Sequence, residues 1–268
     1  MKPLAIDLFC GLGGWAEGFL AEGYEVIGFD IERHDYGTGG YPGHLVIQDV
    51  LTLHGSQFRD AALIVASPPC QEYSYMAMPW KRVKKKAAWY MEDPARQREL
   101  TALFDACFRI QSEAIMATGR ECLRCSRGYI DGMMSAPKCA YCDSKGMIYR
   151  DIPLIVENVR GAQPWVGRAQ WNYGSYYLWG DVPALMPKAF NAHKVPAFRF
   201  DGTGRSFQSA SVKRAGIERP FNPPWVAARA GKNDSARKAA SAQIAKIPFP
   251  LAQHIARCYL PACKELSA

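Results

Sequence analysis

The sequence predicts an α/β protein built on a doubly wound sheet. Three observations carry that expectation. Apolar, strand-length runs recur at residues 4–9, 25–29, 44–47 and 61–66. The first is followed by Cys10-Gly11-Leu12-Gly13-Gly14 and a helical pattern from Trp15 to Glu22, a strand–turn–helix start in which glycine lets a ligand approach the backbone. The second and third runs end in acids, Asp30 and Asp49, and an acid closing the second strand is where doubly wound sheets hold ribose hydroxyls.

The fourth run, Ala61 to Ala66, stops at Ser67-Pro68-Pro69-Cys70-Gln71. Pro69 keeps Pro68 out of the helical region, and neither proline can donate to a sheet. The chain leaves the strand end stiff and extended, with Cys70 presented where open α/β sheets bind ligands. Cys70 therefore reads as a nucleophile. Beyond it, Trp80 to Lys86 reads as a basic, aromatic loop. Asp93-Pro94 is a helix start, acid as N-cap and proline in the first turn. The following helix runs to about Thr118, with Leu100, Leu103, Phe104, Cys107, Ile110, Ala114 and Ile115 at helical spacing and Met116 counted with the core.

Residues 120–150 break the pattern. Cys122-x2-Cys125 and Cys139-x2-Cys142 make two knuckles, a donor set that fits a closed, structural zinc site. The segment is too short to bury a core, so the metal would supply its folding energy. Ser126 to Gly132 reads as a small hairpin inside it. A strand resumes at Ile152 and ends in Glu157-Asn158-Val159. Another is expected at 174–179. Residues 187–234 lack periodicity and read as an irregular recognition region. Residues 235–268 read as helices packing back on the core, one from Ser235 to Lys246 and a last one from Leu251 to about Tyr259. The catalytic core is thus expected over 1–119 and 151–186.

The bulk numbers narrow the function. The 268 residues are 49% hydrophobic, enough for a real core. No apolar run is long enough for a membrane helix, and no signal peptide is read at the amino terminus, so a cytoplasmic monomer is expected. Nine cysteines, four of them in the CxxC pairs, favour metal and catalysis over disulfides in a reducing compartment. The net charge of +8 is clustered: residues 80–98 carry seven Lys/Arg against two acids, and 187–232 nine against two, interleaved with aromatics. Such patches fit a polyanion as well as they fit two solvated surfaces.

Four pieces together resemble the cytosine carbon-5 DNA methyltransferase family: Asp7-Leu8-Phe9-Cys10-Gly11-Leu12-Gly13-Gly14, the acids Asp30 and Asp49, Pro68-Pro69-Cys70-Gln71, and Glu157-Asn158-Val159. Their order and spacing match, over roughly residues 4 to 180 with the zinc segment as an insertion. Pro250-Leu251-Ala252 is similar to the family's closing motif. The resemblance implies a Rossmann-like sheet, S-adenosylmethionine as cofactor, and double-stranded DNA as partner with a flipped cytosine. It places Phe9 against the adenine, the turn Gly11 to Gly14 near the methionine end, Asp30 with Ile31 on the ribose, and Asp49 with Val50 on the adenine; Asp7, Cys10 and Pro69 line the same site. It implies Cys70 as nucleophile, Glu157 as proton holder, and Asn158 and Gln71 as supports. Where the family has Gln-x-Arg-x-Arg, this chain has Arg168-Ala169-Gln170, which leaves Arg168 as the candidate for a second contact to the base. A bacterial or phage-encoded enzyme fits this pattern. Rival readings are an amino-group methyltransferase, whose Ser-Pro-Pro would precede an aromatic where Cys70 stands, an RNA cytosine methyltransferase, and a decayed zinc-containing DNA-binding protein.

Overall fold

A computed structural model describes residues 2–36, 39–74, 80–123, 142, 145–186, 242–243 and 245–264. Nine strands lie among them. Seven form one mixed sheet in the order β3-β2-β1-β4-β7-β9-β8. These are β1 (Leu4–Leu8), β2 (Glu25–Asp30), β3 (His44–Ile47), β4 (Leu63–Ala66), β7 (Leu154–Asn158), β8 (Trp171–Tyr173) and β9 (Tyr176–Gly180). The first five in chain order run parallel; β9 and β8 close the far edge as an antiparallel hairpin. The chain moves outward from β1 to β3, then returns to place β4 on the other side of β1. That reversal is the switch point where α/β sheets open a crevice at their carboxyl ends.

The expected strands are present with small boundary shifts. Two expectations need correction. The basic stretch is not a loop: Trp80–Met91 is helix α2. Val83 is buried and Lys86 and Tyr90 half-buried, while Lys81, Arg82, Lys84, Lys85 and Trp89 are exposed. One narrow face, spaced three and four residues apart, settles the helix, and the dense lysines simply occupy the other side. Met116 is not core; it is 63% exposed on α3 (Pro94–Ala117). Its neighbours Phe104, Cys107, Ile110 and Ala114 face inward as expected. The cap is as read: the Asp93 carboxylate accepts from the Ala95 amide at 2.8 Å.

Two apolar layers cover the sheet. On one face α3 packs over Ile6, Leu8, Ile64, Leu154 and Val156. On the other, α1 (Gly14–Ala21) and the last helix pack together over Ala5, Val26, Val65 and Ile155. That last helix starts earlier and ends later than read from sequence, at Phe249–Lys264; here it is α5, after the short α4 (Gln163–Val166). The packing of α1 on α5 demands glycine. A Cβ on Gly14 would lie 2.5 Å from the Ile247 amide nitrogen, and one on Gly18 would lie 2.4 Å from Ala252 Cβ. Tyr24 donates to the Ala256 carbonyl at 3.0 Å, and Lys246 pairs with Glu17 at 2.5 Å.

The insertion is described only at its base. β5 (Arg120–Glu121) pairs antiparallel with β6 (Met147–Ile148). The expected hairpin at 126–132, the recognition region 187–234 and most of the helix expected at 235–246 lie outside the described residues. Among the described residues, no helix is long and apolar enough to cross a membrane.

Candidate active site

The crevice has two halves, one on each side of β1. The first is built by the turn after β1. Phe9 adopts φ 58°, a left-handed conformation costly for an aromatic residue, and the turn continues through Gly11 and Gly13 with φ 49° and 74°. The Gly13 amide donates to the Cys10 carbonyl at 2.8 Å, closing the loop. At the end of β2, Asp30 fixes this loop from the side: Oδ2 accepts from the Gly11 amide at 2.9 Å and Oδ1 from the Ile31 amide at 2.8 Å. Carboxylate oxygens carry further lone pairs, so these bonds orient the carboxylate without exhausting it. Ile31 beside it is 69% exposed, an unusual position for isoleucine and a ready apolar face for a planar ring. Asp49 caps the short 3-10 turn Val50–Thr52 by accepting from the Leu51 amide at 2.9 Å; Val50 is buried beneath it.

Asp7 lies under this half and is fully buried. Tyr41 donates to its Oδ2 at 3.1 Å, while Oδ1 is buried with no hydrogen-bond partner. Burial pushes the Asp7 carboxyl well above the usual range, opposed by the Tyr41 hydrogen bond and helped by the charge of Asp30. The Cys10 thiol is also buried, and burial followed by the charges of Asp7 and Asp30 drives it far above the ordinary thiol range.

The second half lies between β4 and β7. The Ser67 amide continues the ladder to the Leu8 carbonyl at 3.1 Å. Trp15 Nε1 donates to Ser67 Oγ at 3.0 Å, which ties the strand end to α1. Asn158, 1% exposed, donates through Nδ2 to the Pro68 carbonyl at 3.0 Å. This bond fixes the stiff Pro68-Pro69 segment from the neighbouring strand. Cys70 follows, half-buried, its carbonyl accepting from the Tyr73 and Ser74 amides at 3.0 and 2.8 Å. Gln71 is exposed beside it. Tyr73 anchors the loop by donating to the Leu100 carbonyl at 2.7 Å.

Glu157 stands in β7, opposite Leu178 of β9, and is 8% exposed. Burial raises its carboxyl to about 8, against a lowering hydrogen bond with Ser67. It therefore carries a proton at neutral pH. Glu157 and Cys70 are near enough to interact: burial first, and the Glu157 charge second, raise the Cys70 thiol. Protonated Glu157 removes that second obstacle. A buried carboxylic acid beside a half-exposed thiol can donate a proton to a bound ring while sulfur attacks it. Arg168 is exposed on the loop before β8, at the sheet edge beyond Glu157. That loop is held by Trp179 Nε1 donating to the Gly167 carbonyl at 2.9 Å.

The family comparison falls on the first half and the thiol loop. Residues 4–87 match the family model of the C-5 cytosine-specific DNA methylases. That span takes in the glycine turn, Asp30, Asp49 and Cys70, and reaches into α2. No curated protein sequence matches the chain. Among solved structures, a prophage-encoded protein of E. coli described as a DNA modification methyltransferase is similar over 60% of this chain and 33% of its own, at 20% identity and a TM-score of 0.33. The Entamoeba histolytica methyltransferase EhMeth is similar over 62% of this chain and 41% of its own, at 16% identity and a TM-score of 0.29. This chain thus spans well under two thirds of either protein.

Of the four insertion cysteines, Cys122 and Cys142 are described and both are buried; Cys125 and Cys139 lie outside the described residues. Among the described residues no three His, Cys, Asp or Glu side chains converge as a metal site. The base hairpin does turn the two thiol-bearing segments toward each other: the Cys122 amide donates to the Gly146 carbonyl at 2.8 Å, and the Lys145 amide to the Cys142 carbonyl at 2.9 Å. Sequence reasoning did not find Ser67, Trp15 or Tyr41. Ser67 was in view as part of Ser-Pro-Pro, and its hydroxyl at the strand end was the available signal.

Proposed function

We propose that this chain methylates carbon 5 of cytosine in double-stranded DNA, with Cys70 as covalent nucleophile. The observation that carries the reading is Glu157. A carboxyl buried at a strand end and held up to about 8 is protonated where the reaction runs, and it neighbours a half-buried thiol on a rigid loop. Cytosine carbon 5 is a poor nucleophile. The Cys70 thiol gives its proton to water, and addition of the thiolate to carbon 6 breaks the ring's 5,6 double bond and makes carbon 5 enamine-like. Glu157 holds its proton toward ring nitrogen 3 and so neutralises the charge that develops on addition. Asn158 holds the Pro68 carbonyl, and through it the direction in which Cys70 points. After transfer, a base removes the carbon-5 proton and the thiolate leaves as the double bond re-forms.

The first half of the crevice fits S-adenosylmethionine. It offers open backbone at Gly11, where a Cβ would meet nothing within 4 Å, an oriented Asp30 for ribose hydroxyls, and Ile31, Phe9 and Val50 for the adenine. Bound there, the sulfonium supplies the methyl group. Asp49, Gly13, Leu12 and Pro69 complete the wall, and exposed Arg168 is the candidate for a second contact to the base. Gly14 has a packing reason of its own against Ile247, whatever it offers a ligand. The basic region 187–234 is the natural reader of the DNA site, and the protein works as a monomer.

Zinc belongs to the same reading: Cys122, Cys125, Cys139 and Cys142 would hold it as a structural tetrathiolate. Metal content of the purified protein tests this, with about one zinc per chain expected and loss of it in Cys125→Ser.

A duplex carrying 5-fluorocytosine at the methylated position tests the main proposal. The fluorine cannot be removed as a proton, so the adduct is trapped as a protein–DNA complex stable to denaturant. Bisulfite sequencing of DNA from cells expressing the protein gives the site. An amino-group methyltransferase would transfer methyl without a trapped complex, an RNA enzyme would prefer tRNA over duplex DNA in competition, and a decayed fold would do neither.

A further inference from the structure

The sequence next to Cys70 contains an acid that the scheme above does not use. Glu72 follows the nucleophile by two residues. Its carboxylate meets Lys86 Nζ at 2.6 Å and accepts from the Tyr90 hydroxyl at 2.8 Å. Lys86 and Tyr90 are i, i+4 on α2, on the same inward face as buried Val83. The Tyr90 ring then stands edge-on to Trp165 at 5.7 Å, and Trp165 lies on α4, just past Glu157 and Asn158. Three pieces therefore meet at Tyr90: the nucleophile loop through Glu72, the basic helix itself and the segment after the proton holder through Trp165. The opposite side of α2 presents Lys81, Arg82, Lys84 and Lys85 outward.

We infer that Glu72 is a positioning residue for Cys70, latched to Lys86 and Tyr90 of α2, and that the outward lysines of the same helix contact the DNA phosphate backbone. This deepens the proposed function and rests on it. Lys86 turns its charge back to Glu72, where it fixes the loop, while its neighbours face a polyanion. Contact of α2 with DNA is thereby transmitted to the backbone that carries the thiol. The pair is half-exposed, with side-chain exposures of 25% for Lys86 and 56% for Glu72, so its worth to overall stability is small and its loss is read in geometry.

The experiment compares wild type with Glu72→Ala, Lys86→Met, the double variant and Glu72→Gln, in the full-length protein. Glu72→Ala is expected to lower kcat about ten- to a hundredfold, the scale on which misplacement of a reacting group is felt, while DNA affinity and thermal midpoint hold. Lys86→Met reproduces the loss and the double variant adds nothing further, the mark of one shared interaction. Glu72→Gln, which keeps an acceptor for Tyr90, falls between. Iodoacetamide labelling mapped by peptide is the arm independent of methyl transfer: the rate at Cys70 shifts in Glu72→Ala relative to exposed Cys258 in the same sample. Lys81→Ala and Lys85→Ala each weaken duplex binding and reduce the slope of log affinity against log salt by roughly 0.9. Unchanged Cys70 labelling in Glu72→Ala overturns the latch, as does a kcat loss that follows a fallen thermal midpoint. An unaltered salt slope overturns the phosphate contact. A wild-type protein that traps no fluorocytosine duplex refutes the proposed function instead, and the labelling arm still decides the latch.

Discussion

Cys10 and Cys70 both stand just beyond the carboxyl end of a parallel strand, on adjacent strands of one sheet. They do not have the same chemistry. Cys10 is 6% exposed, its amide bonded to the Phe29 carbonyl at 3.1 Å, and it sits over two acids that oppose any negative charge on sulfur. Cys70 is half-buried on a proline-stiffened loop; Glu157, whose charge would oppose a thiolate there, is held up to about 8, and Glu72, two residues on, is paired with Lys86. A thiol at a strand end is therefore not a nucleophile by address. What separates the two is access: Cys10 is sealed in the core, whereas Cys70 is half-exposed.

The largest effect that would sharpen this contrast is removal of the sulfur itself. Cys70→Ala is expected to abolish methylation, and both tritiated-methyl transfer and fluorocytosine trapping should fall to background. Next comes Glu157→Gln, expected to lower kcat about a hundred- to ten-thousandfold, the usual worth of a positioned general acid. The pH profile fixes the sign: the acid form of Glu157 prevails below about 8, so wild-type kcat/KM attributable to it falls as pH rises through that value, and Glu157→Gln loses this alkaline limb. The same variant should label faster at Cys70 with iodoacetamide above pH 8, because the charge that opposed thiolate is gone. Catalysis and bare thiol reactivity then move in opposite directions, and if both fell together the contrast between the two cysteines would be lost.

Stability should respond to the same residue. The folded-state carboxyl titrates above its unfolded value, so the native state binds the extra proton between about 4.5 and 8 and the protein weakens as pH rises through that window. Denaturant melts at pH 6 and pH 8.5 should show this fall in wild type and a flatter dependence in Glu157→Gln. A smaller effect is expected at the far side of α1. Gly18→Ala puts a methyl 2.4 Å from Ala252 Cβ, and overpacking of this kind costs about 1–3 kcal/mol, readable as a lower urea midpoint. Smallest is the helix cap: Asp93→Ala should cost about 1 kcal/mol by the same measurement.

Much of this was legible before any coordinates. Each strand end of the candidate site announced itself by a local break: glycine after β1, acids after β2 and β3, Pro-Pro after β4, and Glu157-Asn158 in an otherwise apolar β7. Such signals are short-range, and the sequence displays them directly. What it hid is long-range or masked by composition. The lysines of α2 read as a loop because five cations in twelve residues drown a one-residue-wide apolar face. Gly14 and Gly18 read as part of a ligand turn and an ordinary helix because their partners, Ile247 and Ala252, lie more than two hundred residues away. Ser67 and Asn158 are linked to Trp15 and Pro68 only through sheet order, which no local pattern specifies. Met116 is apolar and so was counted with the core, yet two residues past inward-facing Ala114 it falls on the outer side of α3.

The seating of α5 on α1 has a consequence for synthesis. Trp15 and Phe19 precede by more than two hundred residues the stretch 247–256 that completes the cluster around them. Synthesis must therefore reach residue 256 before that side of the sheet is fully covered. Until then the nascent protein carries an oily flank, a natural target for holdase chaperones, and a premature stop codon upstream of Ile247 would leave that flank permanently bare.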